Sequence, residues 1–75
     1  MKLSIEYCNV WNYLPRASRM AADLLDKYGN NITKLILIPS SGGVYEVMKN
    51  DQVIFSKKEL NRFPELDELI DIIES

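Results

Sequence analysis

Cys8 is the only cysteine of the chain, and histidine is absent. A thiolate is a good nucleophile and a redox group, so Cys8 is the one side chain with this kind of reactivity. Without histidine there is no Cys–His pair, which excludes hydrolysis by a thiol activated by an imidazole base. The chain also lacks the several thiolate or imidazole ligands of a zinc site, and it cannot form an internal disulfide. The available chemistry is therefore that of a single thiol, and we expect no bound metal.

Cys8 follows a segment from Lys2 to Tyr7 that alternates between polar and apolar residues, which is typical of a strand with one buried face. A helix follows the segment from Asn9 to Asn12. In open α/β sheets, ligands bind at this end of a strand, because helix N–H groups point toward it. The helix end and Arg16 would both favour the thiolate of Cys8. From position alone, the alternative is that Cys8 is a buried, unreactive residue at the end of a core strand.

The first helix is predicted to carry Pro15 in its first turn and to stop at Gly29 and Asn30. Its predicted buried stripe is spaced by three and four residues. It consists of Leu14, Ala17, Ala21, Leu24, Leu25 and Tyr28.

The next predicted strand runs from Ile32 to Ile38. Its apolar run, from Leu35 to Ile38, does not alternate, which indicates a strand covered on both faces in the middle of a sheet. Pro39 to Gly43 is predicted to be a loop. The segments Val44 to Met48 and Gln52 to Phe55 then form a hairpin around an Asn-Asp turn.

A polar link, Lys57 to Arg62, precedes the last predicted helix, from about Pro64 to Glu74. The order is β-α-β-β-β-α, and a strand, helix and strand in succession normally form a right-handed parallel unit. We therefore predict an α/β fold with a mixed four-stranded sheet and two helices. The chain length of 75 residues fits one domain, residues 1–75.

The net charge is −2, and no dense basic face is present, so nucleic-acid binding is not expected. The longest apolar run is too short to span a bilayer, and no membrane association is predicted. The segment Met1 to Glu6 carries a carboxylate where a signal peptide would need apolar residues. We therefore expect a cytoplasmic protein.

The segment from Ile5 to Ala17 resembles the opening motif of the selenoprotein W-like family, also called the Rdx family. In that family a strand ends in Tyr-Cys, and two variable residues and a Cys or selenocysteine follow. An aromatic residue, a proline and basic residues come next. The likeness continues over nearly the whole chain. It includes Pro39, Gly42, Gly43, Val44 to Val47, Asn50 and Ile54 to Lys58.

The resemblance implies a thioredoxin-like fold and a thiol-redox role linked to glutathione. Cys8 matches the first member of the family's Cys-x-x-Cys or Cys-x-x-selenocysteine pair, whereas Trp11 occupies the position of the second. Because no resolving thiol is present, Cys8 would act as a monothiol. Glutathione, as a co-substrate, or a thiol protein would supply the second sulfur, and the chain would then be a glutathione-linked monothiol oxidoreductase.

Six residues are expected to contact the substrate or a partner: Asn9, Val10, Trp11, Arg16, Gly42 and Gly43. Trp11 would either cover glutathione or a peptide beside Cys8, or fill the space of the missing side chain. Gly42 and Gly43 would either allow a close backbone approach or form a plain surface turn.

A different class of function is also open. The chain would then be a catalytically inactive binding module that contacts a protein partner through the Cys8–Trp11 loop. A third class is an Fe–S carrier in which two chains and two glutathiones supply the ligands, although each chain offers only one ligand of its own.

Overall fold

A computed structural model describes residues 1–75 as a four-stranded sheet with helices packed against it. The strands are β1 (Lys2–Cys8), β2 (Lys34–Ser40), β3 (Tyr45–Lys49) and β4 (Gln52–Ser56), in the spatial order β2-β1-β3-β4. β1 pairs in parallel with β2 and antiparallel with β3, and β3 pairs antiparallel with β4. The predicted mixed sheet, with its first two strands as parallel neighbours, is confirmed.

One face of the sheet carries the core. Alternate residues of the strands point to this face, where they meet buried residues of the first and last helices. The core consists of Leu3, Ile5, Tyr7, Ala17, Met20, Ala21, Leu24, Ile32, Tyr45, Val47, Phe55, Leu69 and Ile73. The opposite face has no helix over it, so the molecule has two layers.

The prediction for β2 is wrong in two respects. β2 is an edge strand, with β1 as its only neighbour, and its side chains alternate instead of being covered on both faces. Leu35 and Leu37 pack against the core, whereas Ile36 and Ile38 are each 39% exposed on the open face. The strand also extends through Pro39 to Ser40, which had been assigned to the loop.

The structure contains three α-helices, not two: α1 (Leu14–Tyr28), α2 (Lys57–Leu60) and α3 (Leu66–Ile73). The additional helix, α2, is a single turn within the predicted polar link. It forms because the Ser56 hydroxyl accepts a hydrogen bond from the backbone N–H of Glu59. Asn61, in the left-handed conformation, then ends it. None of the helices is long and apolar enough to cross a membrane.

The first helix carries Pro15 in its first turn and stops at Gly29, as predicted, and a short 3-10 turn, Gly29–Asn31, follows it. Its buried stripe is narrower than predicted. Leu14 and Leu25 are 41% and 45% exposed, while Met20, which was not assigned to the stripe, is buried. α3 begins at Leu66, two residues after the predicted start, because the side chains of Glu65 and Glu68 form a capping box there.

The hairpin turn between β3 and β4 lies at Asn50 and Asp51, as predicted. Both residues have positive φ, +50° and +70°, which is the conformation that a two-residue type I′ turn requires. The Asn50 side chain and backbone N–H also bond to the backbone of Lys2, each at 2.9 Å. The turn is thereby tied to the start of the central strand β1.

Candidate functional site

Cys8 is the last residue of β1 and is completely buried. Its backbone N–H donates to the carbonyl of Val44 at 2.9 Å, and its carbonyl accepts from the N–H of Tyr13 at 3.0 Å. It is not a member of the main cluster of 13 buried core residues.

The segment after Cys8 is a tight loop that returns to the sulfur. The N–H of Asn9 donates to the carbonyl of Ser40, and the N–H of Asn12 donates back to the carbonyl of Asn9. This turn aims the backbone N–H of Trp11 at Sγ of Cys8, with an N–S distance of 3.3 Å. The completely buried sulfur thus accepts one backbone hydrogen bond.

Trp11 lies at the surface of the loop, and its side chain is 59% exposed. It is therefore not a buried residue, and whether it covers a ligand or shields the thiol stays a prediction. The six-membered part of the indole lies against Gly43, where an added Cβ would be only 2.5 Å from Cζ3. Trp11 therefore bridges the loop after β1 and the loop before β3. The other exposed positions of its loop are Asn9, Val10 and Asn12, and Val10 is 73% exposed.

The two glycines expected near the site differ in their surroundings. Gly42 and Gly43 both have positive φ, +75° and +73°. Gly43 is buried beneath the Trp11 ring, whereas nothing lies within 4 Å of a Cβ added at Gly42. Only Gly43 is therefore required for a close approach, and the group that approaches it is a side chain of the same molecule.

The Arg16 side chain lies over the aromatic ring of Phe63. Its guanidinium carbon lies 4.0 Å from the centre of the Phe63 ring, and it forms no hydrogen bond with Cys8. An interaction of this kind holds the cation by the ring quadrupole. The Arg16 side chain is thus oriented toward the segment that precedes α3.

Sequence reasoning missed a row of aromatic side chains that begins at Trp11. Its ring meets Tyr13 edge to face at 6.2 Å, Tyr13 meets Phe63 at 4.8 Å, and Phe63 meets Tyr45 at 5.3 Å. Such edge-to-face pairs are stabilising beyond the area that they bury. Phe63, an aromatic residue next to a proline after a polar segment, was the signal that could have indicated this row.

No group of three or more His, Cys, Asp or Glu side chains is arranged so that it could hold a metal ion.

The residue near the site whose pKa is shifted is Tyr45, and its side chain is almost fully buried. Burial raises the pKa of Tyr45 to about 12, and the Arg16 charge opposes this rise. The Tyr45 hydroxyl is therefore a hydrogen-bond donor throughout the neutral range.

Two solved structures have nearly the same fold as this chain. A crystal structure of a protein from Bordetella parapertussis is 29% identical, with a TM-score of 0.93, over 97% of this chain and 92% of that one. A crystal structure of a selenoprotein W-related protein from Vibrio cholerae is 27% identical, also with a TM-score of 0.93, over 97% and 91%. No curated protein gave a significant match. The family model described as the Rdx family matches residues 2–75. This α/β chain, with its thioredoxin-like fold, therefore belongs to the Rdx family.

Proposed function

We propose that this protein carries out thiol–disulfide exchange through Cys8 as a monothiol, with glutathione as the second thiol. The observation that carries the proposal is the hydrogen bond from the Trp11 backbone N–H to Sγ of Cys8, at 3.3 Å. The thiolate is the form that attacks a disulfide, and this hydrogen bond holds the sulfur within the loop. The chain belongs to the Rdx family and has a thioredoxin-like fold, and both support a redox-related function.

The reaction balances with glutathione alone. The Cys8 thiolate attacks one sulfur of oxidised glutathione, a Cys8–glutathione disulfide forms, and one reduced glutathione leaves as its thiolate. Attack by a further reduced glutathione on the glutathionyl sulfur restores Cys8 and releases oxidised glutathione. A substrate thiol protein would enter by the same exchange. The single cysteine of this chain limits each molecule to one such bond at a time.

The burial of Cys8 means that this reaction requires movement of the loop. We infer that the cover consists of the Asn9–Asn12 turn, whose Trp11 N–H contacts the sulfur, and of the contact between Trp11 and Gly43. Local openings of this kind need less free energy than global unfolding. We expect Cys8 to react slowly with oxidised glutathione while the rest of the chain stays folded.

The test is mass spectrometry of the native protein after incubation with oxidised glutathione. The expected product is one glutathionyl adduct per chain, which reduced glutathione removes, and Cys8→Ser is the control that forms none. Circular dichroism during the incubation checks that the chain stays folded. An adduct that forms only in denaturant, and never in the native protein, would contradict the proposal.

A second candidate function is a binding module that uses the same loop without redox chemistry. It is favoured by the exposure of Val10 and Trp11, at 73% and 59%, next to a completely buried thiol. Measurement of the Cys8 thiol pKa distinguishes the two. A value well below the free-cysteine value of about 8.5 favours exchange, and a raised value favours the module.

A further inference from the structure

A pocket of about 150 Å³ lies between α1 and the segment that precedes α3. Its apolar walls come from Met20, Phe63 and Pro64, and its polar groups come from Tyr45 and from charged residues of α1. A volume of about 150 Å³ is enough for one benzene ring, as engineered protein cavities of that size have demonstrated. None of the residues of the Asn9–Asn12 loop lines the pocket.

The guanidinium of Arg16 is free to bind a ligand in this pocket. It forms no ion pair with any carboxylate of the chain, and its side chain donates no hydrogen bond. It lies 4.0 Å from the centre of the Phe63 ring, and this contact favours an orientation toward the pocket. An unpaired guanidinium is well suited to bind a carboxylate through two parallel N–H donors.

Tyr45, which is only 1% exposed, lines the same pocket, and its hydroxyl is a second donor on the pocket wall. Its only hydrogen bond is a long one, to the backbone carbonyl of Arg16 at 3.5 Å. Because this bond is weak, a ligand oxygen can replace it without a large cost. This hydrogen bond also shows that the buried Tyr45 side chain contacts the first turn of α1.

The remaining charges of the pocket limit the charge of its ligand. Arg19 pairs with Asp23 at 3.6 Å, one turn further along α1, and both residues line the pocket. The formal charge of the lining is therefore +1, from two arginines and one aspartate. A ligand with a single negative charge matches this value, whereas a more highly charged anion would also meet the Asp23 carboxylate.

We propose that this pocket binds a monocarboxylate carried on an aromatic or apolar body of about the size of a benzene ring. Arg16 and Tyr45 bind the carboxylate, and the body packs against Met20, Phe63 and Pro64. The ligand is either a free small acid or the C-terminal residue of a peptide, since both present this group. The site is independent of Cys8 and of the proposed thiol exchange.

The first test is an NMR titration of the full chain labelled with ¹⁵N. Phenylacetate should shift the Arg16 Nε–Hε signal and the backbone signals of Met20 and Phe63 in a saturable way. Phenylacetamide, which has the ring without the charge, and acetate, which has the charge without the ring, should each bind about tenfold more weakly. Equal binding of phenylacetamide, or no saturable shift with phenylacetate, would overturn the proposal.

A second set of ligands identifies the source of the carboxylate. N-acetylphenylalanine represents a peptide C-terminus. Tighter binding than phenylacetate assigns the site to a peptide end, and weaker binding assigns it to a free acid. In either case the amide of the tighter ligand should bind more weakly than the acid itself. An amide that binds as tightly as its acid would contradict a carboxylate site.

Variants then test the assigned residues. Arg16→Gln should weaken phenylacetate binding about tenfold, while Lys27→Gln, an equal loss of charge on the same helix outside the pocket, should leave it unchanged. Cys8→Ser should also bind normally, so that failure of the thiol chemistry and failure of this site are distinguishable. Unchanged binding by a folded Arg16→Gln variant would show that Arg16 is not the carboxylate partner.

Discussion

The indole ring of Trp11 lies on the backbone of Gly43, so close that a Cβ at Gly43 would be 2.5 Å from Cζ3 of the ring. This contact joins the loop after β1 to the loop before β3, at the end of the sheet where Cys8 is buried. The space at residue 43 therefore determines where the indole can lie. It also gives a direct way to move the ring without changing Trp11 or Cys8.

Gly43→Ala should displace the Trp11 ring and increase the accessibility of Cys8. If the ring contact contributes about 1.4 kcal/mol to closure, its loss speeds modification of Cys8 by a thiol reagent about tenfold. Gly42→Ala is the matched control, because it has the same positive φ and no contact within 4 Å. Both variants should lose about 1–2 kcal/mol of stability from backbone strain. Equal modification rates in the two variants would mean that the indole does not cover the thiol.

Trp11→Cys should convert the monothiol into a dithiol with a reversible internal disulfide. The Trp11 N–H already contacts Sγ of Cys8, so position 11 lies close enough for bridging, which requires Cα atoms within about 7 Å. Since Trp11 is 59% exposed but contacts Gly43, we expect a stability loss of about 1 kcal/mol, smaller than for a core truncation. Thiol counts before and after mild oxidation, with Trp11→Ser as the control, measure the outcome. Two free thiols in the oxidised, folded variant would exclude a redox geometry in this loop.

Leu24 and Leu25 are neighbours on α1 with opposite surroundings, and their truncation should have different effects. Leu24 is completely buried in the core, whereas Leu25 is 45% exposed. Leu24→Ala should lower the free energy of unfolding by about 2–5 kcal/mol, through lost burial and a cavity. Leu25→Ala should change it by about 0.5 kcal/mol or less. Denaturant unfolding of both variants checks this, and similar losses would place Leu25 in the core after all.

Stability should fall as the pH rises from about 10 to about 12. Burial raises the pKa of Tyr45 to about 12, and burial together with the hydrogen bond to Glu74 raises that of Tyr28 to about 12. Unfolded tyrosine titrates near 10, so in this range the folded chain holds more protons than the unfolded chain, and rising pH favours unfolding. The stabilisation is complete below pH 10. Unfolding experiments from pH 9 to 12 should show a smaller loss for Tyr45→Phe and Tyr28→Phe than for the parent.

The order of the strands and helices along the chain could be predicted, because alternation in β1, the Asn-Asp turn and the helix stop at Gly29 are local signals. The position of β2 could not. Four apolar residues in succession, Leu35 to Ile38, are equally compatible with a central strand and with an edge strand that has a partly exposed apolar face. Only the pairing partners distinguish the two, and they lie far away in the sequence.

The sequence indicates Cys8 as the centre of the candidate site, but not how the side chains around it are arranged. The sequence indicates that residue 11 follows Cys8 at the spacing of a redox pair, but not that its side chain turns outward onto Gly43. That direction depends on Asn12, whose φ of +60° reverses the chain before α1. The contact of Arg16 with Phe63 joins residues that are 47 positions apart, and no local pattern records such a pairing.

Pro39 lies within the edge strand β2, and its placement affects how molecules of this protein meet one another. The carbonyl of Ser40 points inward, where it accepts a hydrogen bond from the N–H of Asn9. Because successive residues of a strand direct their backbone polar groups to opposite sides, the backbone nitrogen and carbonyl of Pro39 lie on the outer edge of the sheet. A proline at this position offers no N–H to an incoming strand. The exposed Ile36 and Ile38 would otherwise make this edge favourable for intermolecular strand addition. We therefore expect Pro39 to reduce aggregation by strand addition at the edge of β2.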